Sequence, residues 1–174
     1  MPPKGFKKLN KYIISGNIAL IEILSPKYGY FYAIIDAIDI NKVKNYCWRL
    51  SHGYVYSFYY NKDNIRNDIS LQELIVKRID GLQIDHINHN TLDNRKENLR
   101  LCTIKQNQEN LIKSKNHNKT SGIRGVCWKS DKSKWKAYLT HNRKQIHGGY
   151  FSNIDDAQRA AIELRKKYFT HSLI

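Results

Sequence analysis

Ile84-Asp85-His86-Ile87-Asn88-His89-Asn90-Thr91-Leu92-Asp93-Asn94-Arg95-Lys96-Glu97-Asn98-Leu99-Arg100, carried on to Asn107, is the stretch on which the reading of this chain turns. Residues 82–86 read as a short strand and residues 99–102 as a second one. Residues 88–98 between them are polar and loop-like. Thr103-Ile104-Lys105-Gln106 is a capping-box pattern that opens a helix through about residue 112. Adjacent strand residues point to opposite faces, so Asp85 and His86 can serve different partners. Asn107 falls in the first turn of the following helix. A carboxylate and an amide oxygen are hard ligands suited to magnesium. A histidine beside them that titrates near neutrality suits a general base.

Ahead of this stretch, residues 12–60 are rich in Ile, Tyr and Phe. Residues 28–35 and 53–60 read as strands, with a helical turn or two over residues 39–45. Ser70-Leu71-Gln72-Glu73 is another capping box, opening a helix through about Arg78. The aromatic-rich strands read as core rather than as a base-stacking surface for RNA.

Charge divides the chain unevenly. Of 174 residues with a formal net charge of +15, residues 1–112 carry a net +5 and residues 113–174 a net +10. Within residues 113–147 only Asp131 is acidic. The changeover, residues 113–121, has no apolar residue and reads as a linker between two modules, or else as a solvated loop inside one. Such an excess of positive charge calls for a polyanion. Nucleic acid comes first and an anionic membrane surface second. The longest apolar run, residues 30–35, is far short of a membrane span. The basic N-terminus has no apolar segment after it, so no secretory signal and a cytoplasmic location are expected. Cys47, Cys102 and Cys127 are scattered, which argues against structural zinc and a disulfide scaffold. His89 reads as a solvated loop residue.

After the linker come three strands, residues 122–128, 134–140 and 144–151. Trp135, Ala137 and Leu139 alternate with Lys136, Tyr138 and Thr140, so the second strand has one apolar and one polar face. Asn153 caps a helix with Asp155 and Asp156 in its first turn and Arg165, Lys166 and Lys167 at its end, matching the dipole. The fold class is therefore α+β. A β-rich N-terminal region leads into a strand-loop-strand-helix unit, followed by a three-stranded antiparallel sheet on one helix.

Asp85-His86, Asn98 twelve residues after His86, Asn107 nine further on, and the Asp93-Asn94-Arg95 and Asn98-Leu99-Arg100 triplets resemble the HNH nuclease family, in particular its phage and intron homing endonucleases. That resemblance implies a ββα-metal fold over residues 82–112 and a nuclease domain over residues 1–112. It implies that Asp85 and Asn107 bind a divalent metal, magnesium or manganese, that His86 activates water, and that Asn98 holds the His86 loop. Asn107 stands where many relatives have His. Gln72-Glu73 stands where relatives often carry His-Arg.

Arg124-Gly125-Val126 with Trp128, and Gly149-Tyr150-Phe151 before the Ala-rich helix, resemble the ethylene-response-factor (APETALA-type) DNA-binding domain over residues 122–174. This implies a sheet laid into the major groove. Carried over position by position, the DNA-facing residues are Arg124, Lys129, Lys136, Tyr138, Thr140, Gln145 and His147. Cys127, Thr140 and Gln145 replace family arginines, so no target sequence transfers.

Together these readings imply a metal-dependent endonuclease acting on double-stranded DNA, of homing or mobile-element type. A monomer would nick and a homodimer could cut both strands. A restriction endonuclease and a non-catalytic DNA-binding regulator are the alternatives.

Overall fold

A computed structural model describes residues 9–111 and 120–172. The chain forms two compact units, Met1–Thr103 and Ile104–Ile174. It is a mixed α/β protein of several small antiparallel sheets and few helices.

In the first unit, strands β1 (Tyr12–Ser15), β2 (Ile18–Ser25) and β3 (Gly29–Asp36) form one antiparallel sheet in that order. A short helix α1 (Ile40–Val43) leads to a second sheet, β4 (Arg49–Ser51), β5 (Tyr54–Tyr60) and β6 (Arg66–Ser70). Helix α2 (Leu71–Ile75) follows, and then the hairpin β7 (Gln83–His86) and β8 (Leu99–Cys102). Alternation along β2 and β3 buries Ala19, Ile21, Ile23, Ala33 and Ile35 on one face. These join Val43, Trp48, Val55, Leu71, Ile75 and Leu99 in a single cluster. Each large aliphatic residue fully buried there contributes about 1.5–3 kcal/mol. Leu99 pairs with His86 across the hairpin, so the core anchors the strand opposite the histidine.

The second unit opens with helix α3 (Ile104–Glu109) and continues with β9 (Val126–Lys129), β10 (Lys134–His141) and β11 (Lys144–Phe151), ordered β11-β10-β9. Helix α4 (Ile154–Tyr168) covers one face through Val126, Ala137, Ala157 and Ala161. Asn153 Oδ1 accepts from the Asp155 N–H at 2.8 Å, the expected cap. Gly125, at φ +80, immediately precedes β9, and its carbonyl accepts from the Tyr138 N–H at 2.8 Å. A Cβ there would meet the Tyr138 carbonyl at 2.6 Å, so no side chain fits.

Several expectations shift. β1, β2, β4 and β6 lie outside the strands expected in this region, and β6, with polar Arg66-Asn67-Asp68, depends on its pairing with β5. Helix α2 ends at Ile75 rather than near Arg78. The capping glutamate is in place, with Glu73 Oε2 accepting from the Ser70 N–H at 3.2 Å and from Ser70 Oγ at 2.8 Å. The two compact units meet between Thr103 and Ile104, and residues 113–119 of the expected linker lie outside the described residues. Within the second unit α3 is held by contacts with Arg124 and Thr170. Arg124 Nη1 and Nη2 donate to the Glu109 and Gln108 carbonyls at 2.9 Å each, and Glu109 Oε2 accepts from the Thr170 N–H at 3.0 Å. Among the described residues no helix is long and apolar enough to cross a membrane.

Candidate active site

The loop between β7 and β8 is built from asparagines. Asn98 ties its two limbs together: Oδ1 accepts from the Asn88 N–H at 2.9 Å and Nδ2 donates to the Asp93 carbonyl at 2.7 Å. The Asn98 carbonyl also accepts from the Ile87 N–H at 2.8 Å. Asp93 is buried and receives Arg95 Nε and Nη2 at 2.8 Å each, with Asn88 Nδ2 at 3.0 Å. Arg95 and Asn88 hold its carboxyl below the usual carboxylate range against the opposing effect of burial.

The same loop is sewn to the edge of the first sheet. The Ile34 N–H donates to the Leu92 carbonyl at 2.8 Å and the Asn94 N–H donates to the Ile34 carbonyl at 2.7 Å, a parallel bridge on β3. The Lys96 N–H reaches Asp36 Oδ2 at 2.9 Å, and Lys96 Nζ pairs with the buried Asp39 at 2.7 Å. Thr91 Oγ1 donates to the Gly53 carbonyl in the turn between β4 and β5. The loop is thus fixed to the edge of β3 and to the turn between β4 and β5.

Asp85 and His86, at the end of β7, are both buried. Asn94, with no exposed surface, places Oδ1 3.2 Å from His86 Nε2. Its Nδ2 donates to the Thr91 carbonyl at 3.2 Å, which fixes which end of the amide faces the ring. An acceptor facing Nε2 favours the neutral tautomer that carries its proton there. Burial pushes the His86 pKa below the ordinary histidine value, while Asn94, Asp85 and Asp93 pull it upward. The neutral, basic form therefore prevails at neutral pH. Arg100, cross-strand partner of Asp85, donates Nε and Nη2 to Asp85 Oδ2 at 3.0 and 2.7 Å.

Asp85, His86 and Asn98 are thus gathered in the first unit, whereas Asn107 lies on α3 of the second. His89 is half-buried rather than solvated. It adopts φ +63 with its N–H on the His86 carbonyl at 3.0 Å. Asn94 and Arg100 are polar members of the motif triplets, but nothing in the local sequence assigns Asn94 to His86 or Arg100 to Asp85.

In the second unit, Lys129, Lys136, Tyr138, Thr140, Gln145 and His147 fall on the sheet face opposite α4. The pairs Lys136–Cys127, Tyr138–His147 and Thr140–Gln145 fix that register. Lys136 Nζ donates to Gln145 Oε1 at 2.6 Å. Arg124, expected to face DNA, directs its guanidinium to the Gln108 and Glu109 carbonyls at the end of α3 and to the Leu111 carbonyl just beyond it.

Residues 78–109, which carry the β7–β8 hairpin and α3, match the model of the HNH endonuclease family. The match is confined to this segment. Among curated proteins, Protein 3.8 of Escherichia phage T7 is 37% identical over 65 residues, covering 37% of this chain and 52% of the phage protein. The chain spans about half the length of that relative. No solved structure matches.

Proposed function

We propose that the chain is a metal-dependent DNA endonuclease of homing or mobile-element type, with His86 as general base. The observation that carries this reading is the seating of His86. It is a buried, neutral imidazole with its Nε2 side turned to Asn94, inside the segment that matches the nuclease family.

In the proposed reaction the His86 imidazole takes a proton from water, and the hydroxide attacks phosphorus in line as the bond to the 3′-oxygen breaks. The products are a 5′-phosphate and, after the leaving oxygen is protonated, a 3′-hydroxyl. Asn94 accepts from Nε2–H before and after the transfer, and Asp85 and Asp93 favour the imidazolium that forms. Asn98 keeps the loop closed around this arrangement.

The donor chemistry fits a hard cation. Asp85 offers a carboxylate whose Oδ2 is steadied by Arg100, and Asn107 offers an amide oxygen. Among the described residues no group of three or more His, Cys, Asp or Glu could hold a metal. Magnesium commonly needs only one or two protein oxygens, with water and phosphate completing its shell. Asp85 and Asn107 would hold such an ion, whose charge offsets that of the phosphate and the leaving oxygen. Lys129, Lys136, Tyr138, Thr140, Gln145 and His147 are proposed to face DNA as one surface of an ethylene-response-factor-like module.

The test is incubation of supercoiled plasmid with the full chain in magnesium or manganese, with sequencing of the ends. Ends bearing 5′-phosphate at defined positions support the reading. No cleavage in either metal, with the protein folded and DNA bound, returns the chain to the regulator alternative.

A further inference from the structure

The aromatic residues of β5 are not core on both sides. Val55 and Ser57 are buried, while Tyr54, Tyr56, Phe58 and Tyr60 alternate onto the opposite face. Cross-strand pairing sets Arg49 beside Tyr56, Asp68 beside Phe58 and Arg66 beside Tyr60 on that face. Tyr54 and Tyr60 keep 38% and 42% of their surface exposed, a large aromatic area left in water.

The rings form a row. Tyr54 and Tyr56 are 6.4 Å apart by centroid, and Phe58 and Tyr60 5.8 Å. Over the seven residues of β5 the row runs about 20 Å, at roughly 3.3 Å per residue. Arg66 lies 4.3 Å and Arg49 5.7 Å from the Phe58 ring centroid. The one acid on the face, Asp68, is exposed and pairs with both guanidiniums. Exposed pairs of this kind are weak, so a phosphate can displace the carboxylate at little cost. The row begins at the candidate base, with the Tyr54 ring 6.0 Å from that of His86. The Thr91–Gly53 hydrogen bond ties the turn before β5 to the loop that carries Asn94.

We propose that the outer face of β4, β5 and β6 binds an unpaired stretch of DNA strand running away from the cut phosphate. Bases stack on the Tyr54, Tyr56 and Tyr60 rings, and phosphates meet Arg49 and Arg66. Rows of aromatics interleaved with arginine are how proteins hold single strands, because every base has a face to stack whatever its sequence. Placing the strand's start at His86 rests on the nuclease reading; the binding itself does not.

The test measures binding of labelled oligothymidylate, and of a duplex of equal length, to the full chain in chelator, where no metal-dependent cutting occurs. Tyr56→Ala should weaken single-strand binding roughly 5- to 150-fold, the range of one lost base stack, and leave duplex binding within about two-fold of wild type. Tyr56→Phe keeps the ring and should bind as wild type. Arg66→Ala should weaken binding and flatten its salt dependence. Unchanged single-strand affinity in Tyr56→Ala overturns the proposal, as does equal loss for single strand and duplex. A dimer in sedimentation that Tyr56→Ala dissociates also overturns it, since a second copy would then cover the face. If the nuclease reading alone fails, wild type will not cut plasmid in magnesium, yet the single-strand preference and its loss in Tyr56→Ala will remain.

Discussion

Asn94 Oδ1 approaches His86 Nε2 to 3.2 Å from the far limb of the loop, while the Asn94 backbone is bonded into the edge of a different sheet. The orientation of the candidate base is therefore set by a strand more than fifty positions earlier in the chain, through Ile34.

Asn94→Ala should slow single-turnover cleavage and cost about 1–3 kcal/mol of stability, because a buried polar partner is left unmatched. Nitrogen NMR of the His86 ring should show the loss of its single Nε2–H tautomer. Asn94→Asp keeps an acceptor and should keep that tautomer. An unchanged rate and ring spectrum in Asn94→Ala would remove Asn94 from the site.

His86→Ala should lower the cleavage rate on the order of 10²- to 10⁴-fold, the usual worth of a general base. DNA affinity should stay near wild type, since the ring is proposed to act on water and not on phosphate charge. Filter binding beside single-turnover kinetics separates the two. Wild-type cutting by the variant would dismiss the mechanism.

Asp85→Ala and Asn107→Ala should each raise the magnesium concentration needed for half-maximal cleavage, and chelator should stop the wild-type reaction. Arg100→Ala should do so more mildly, because it loosens the Asp85 carboxylate without removing a ligand. A magnesium titration of each variant checks the order. Activity that survives exhaustive chelation would exclude this site.

Stability should fall in two stages on acidification. His86 and His89 are both shifted downward by burial, so the unfolded chain binds more protons and stability is lost as pH drops below about 6.5. Asp39 and Asp93 are shifted down too. Burial of Asp39 is outweighed by Lys42 and Lys96, and Asp93 is held chiefly by Arg95. Their contribution is complete above the ordinary value of 3.8 and disappears as pH falls through their lower folded values. Urea midpoints against pH should show both stages, with the second reduced in Asp39→Asn.

Lys136→Ala and Arg124→Ala should part company. Lys136 lies on the open sheet face, so its loss should weaken DNA binding and reduce the slope of log affinity against log salt by about 0.9. Arg124 caps α3, so its loss should lower the melting temperature and leave that slope unchanged. A salt titration and a melt of each variant decide between the two roles.

The hairpin was legible because its pattern is local. Strand β8 spans the expected residues 99–102, and β7 begins one residue after the expected start. Lys136, Tyr138 and Thr140 likewise share a face because side-chain alternation is a property of any strand. What could not be read was long-range. Nothing near Asn94 names Ile34 as its backbone partner, and nothing near Arg124 names the carbonyls of α3. The aromatic strands looked like core because composition cannot tell which of two faces a sheet will cover. Only the pairing of β5 with β4 and β6 separates Val55 and Ser57 from Tyr54, Tyr56, Phe58 and Tyr60.

Strand β3 ends its sheet, and an open strand edge is a template on which another chain can add itself. Residues 92–94 occupy part of that edge at Ile34. The loop that orients His86 thus also covers part of an otherwise open strand margin. A lesion that frees it would expose that margin along with the candidate base, so that loss of any cleavage and aggregation would be expected together in the same variant.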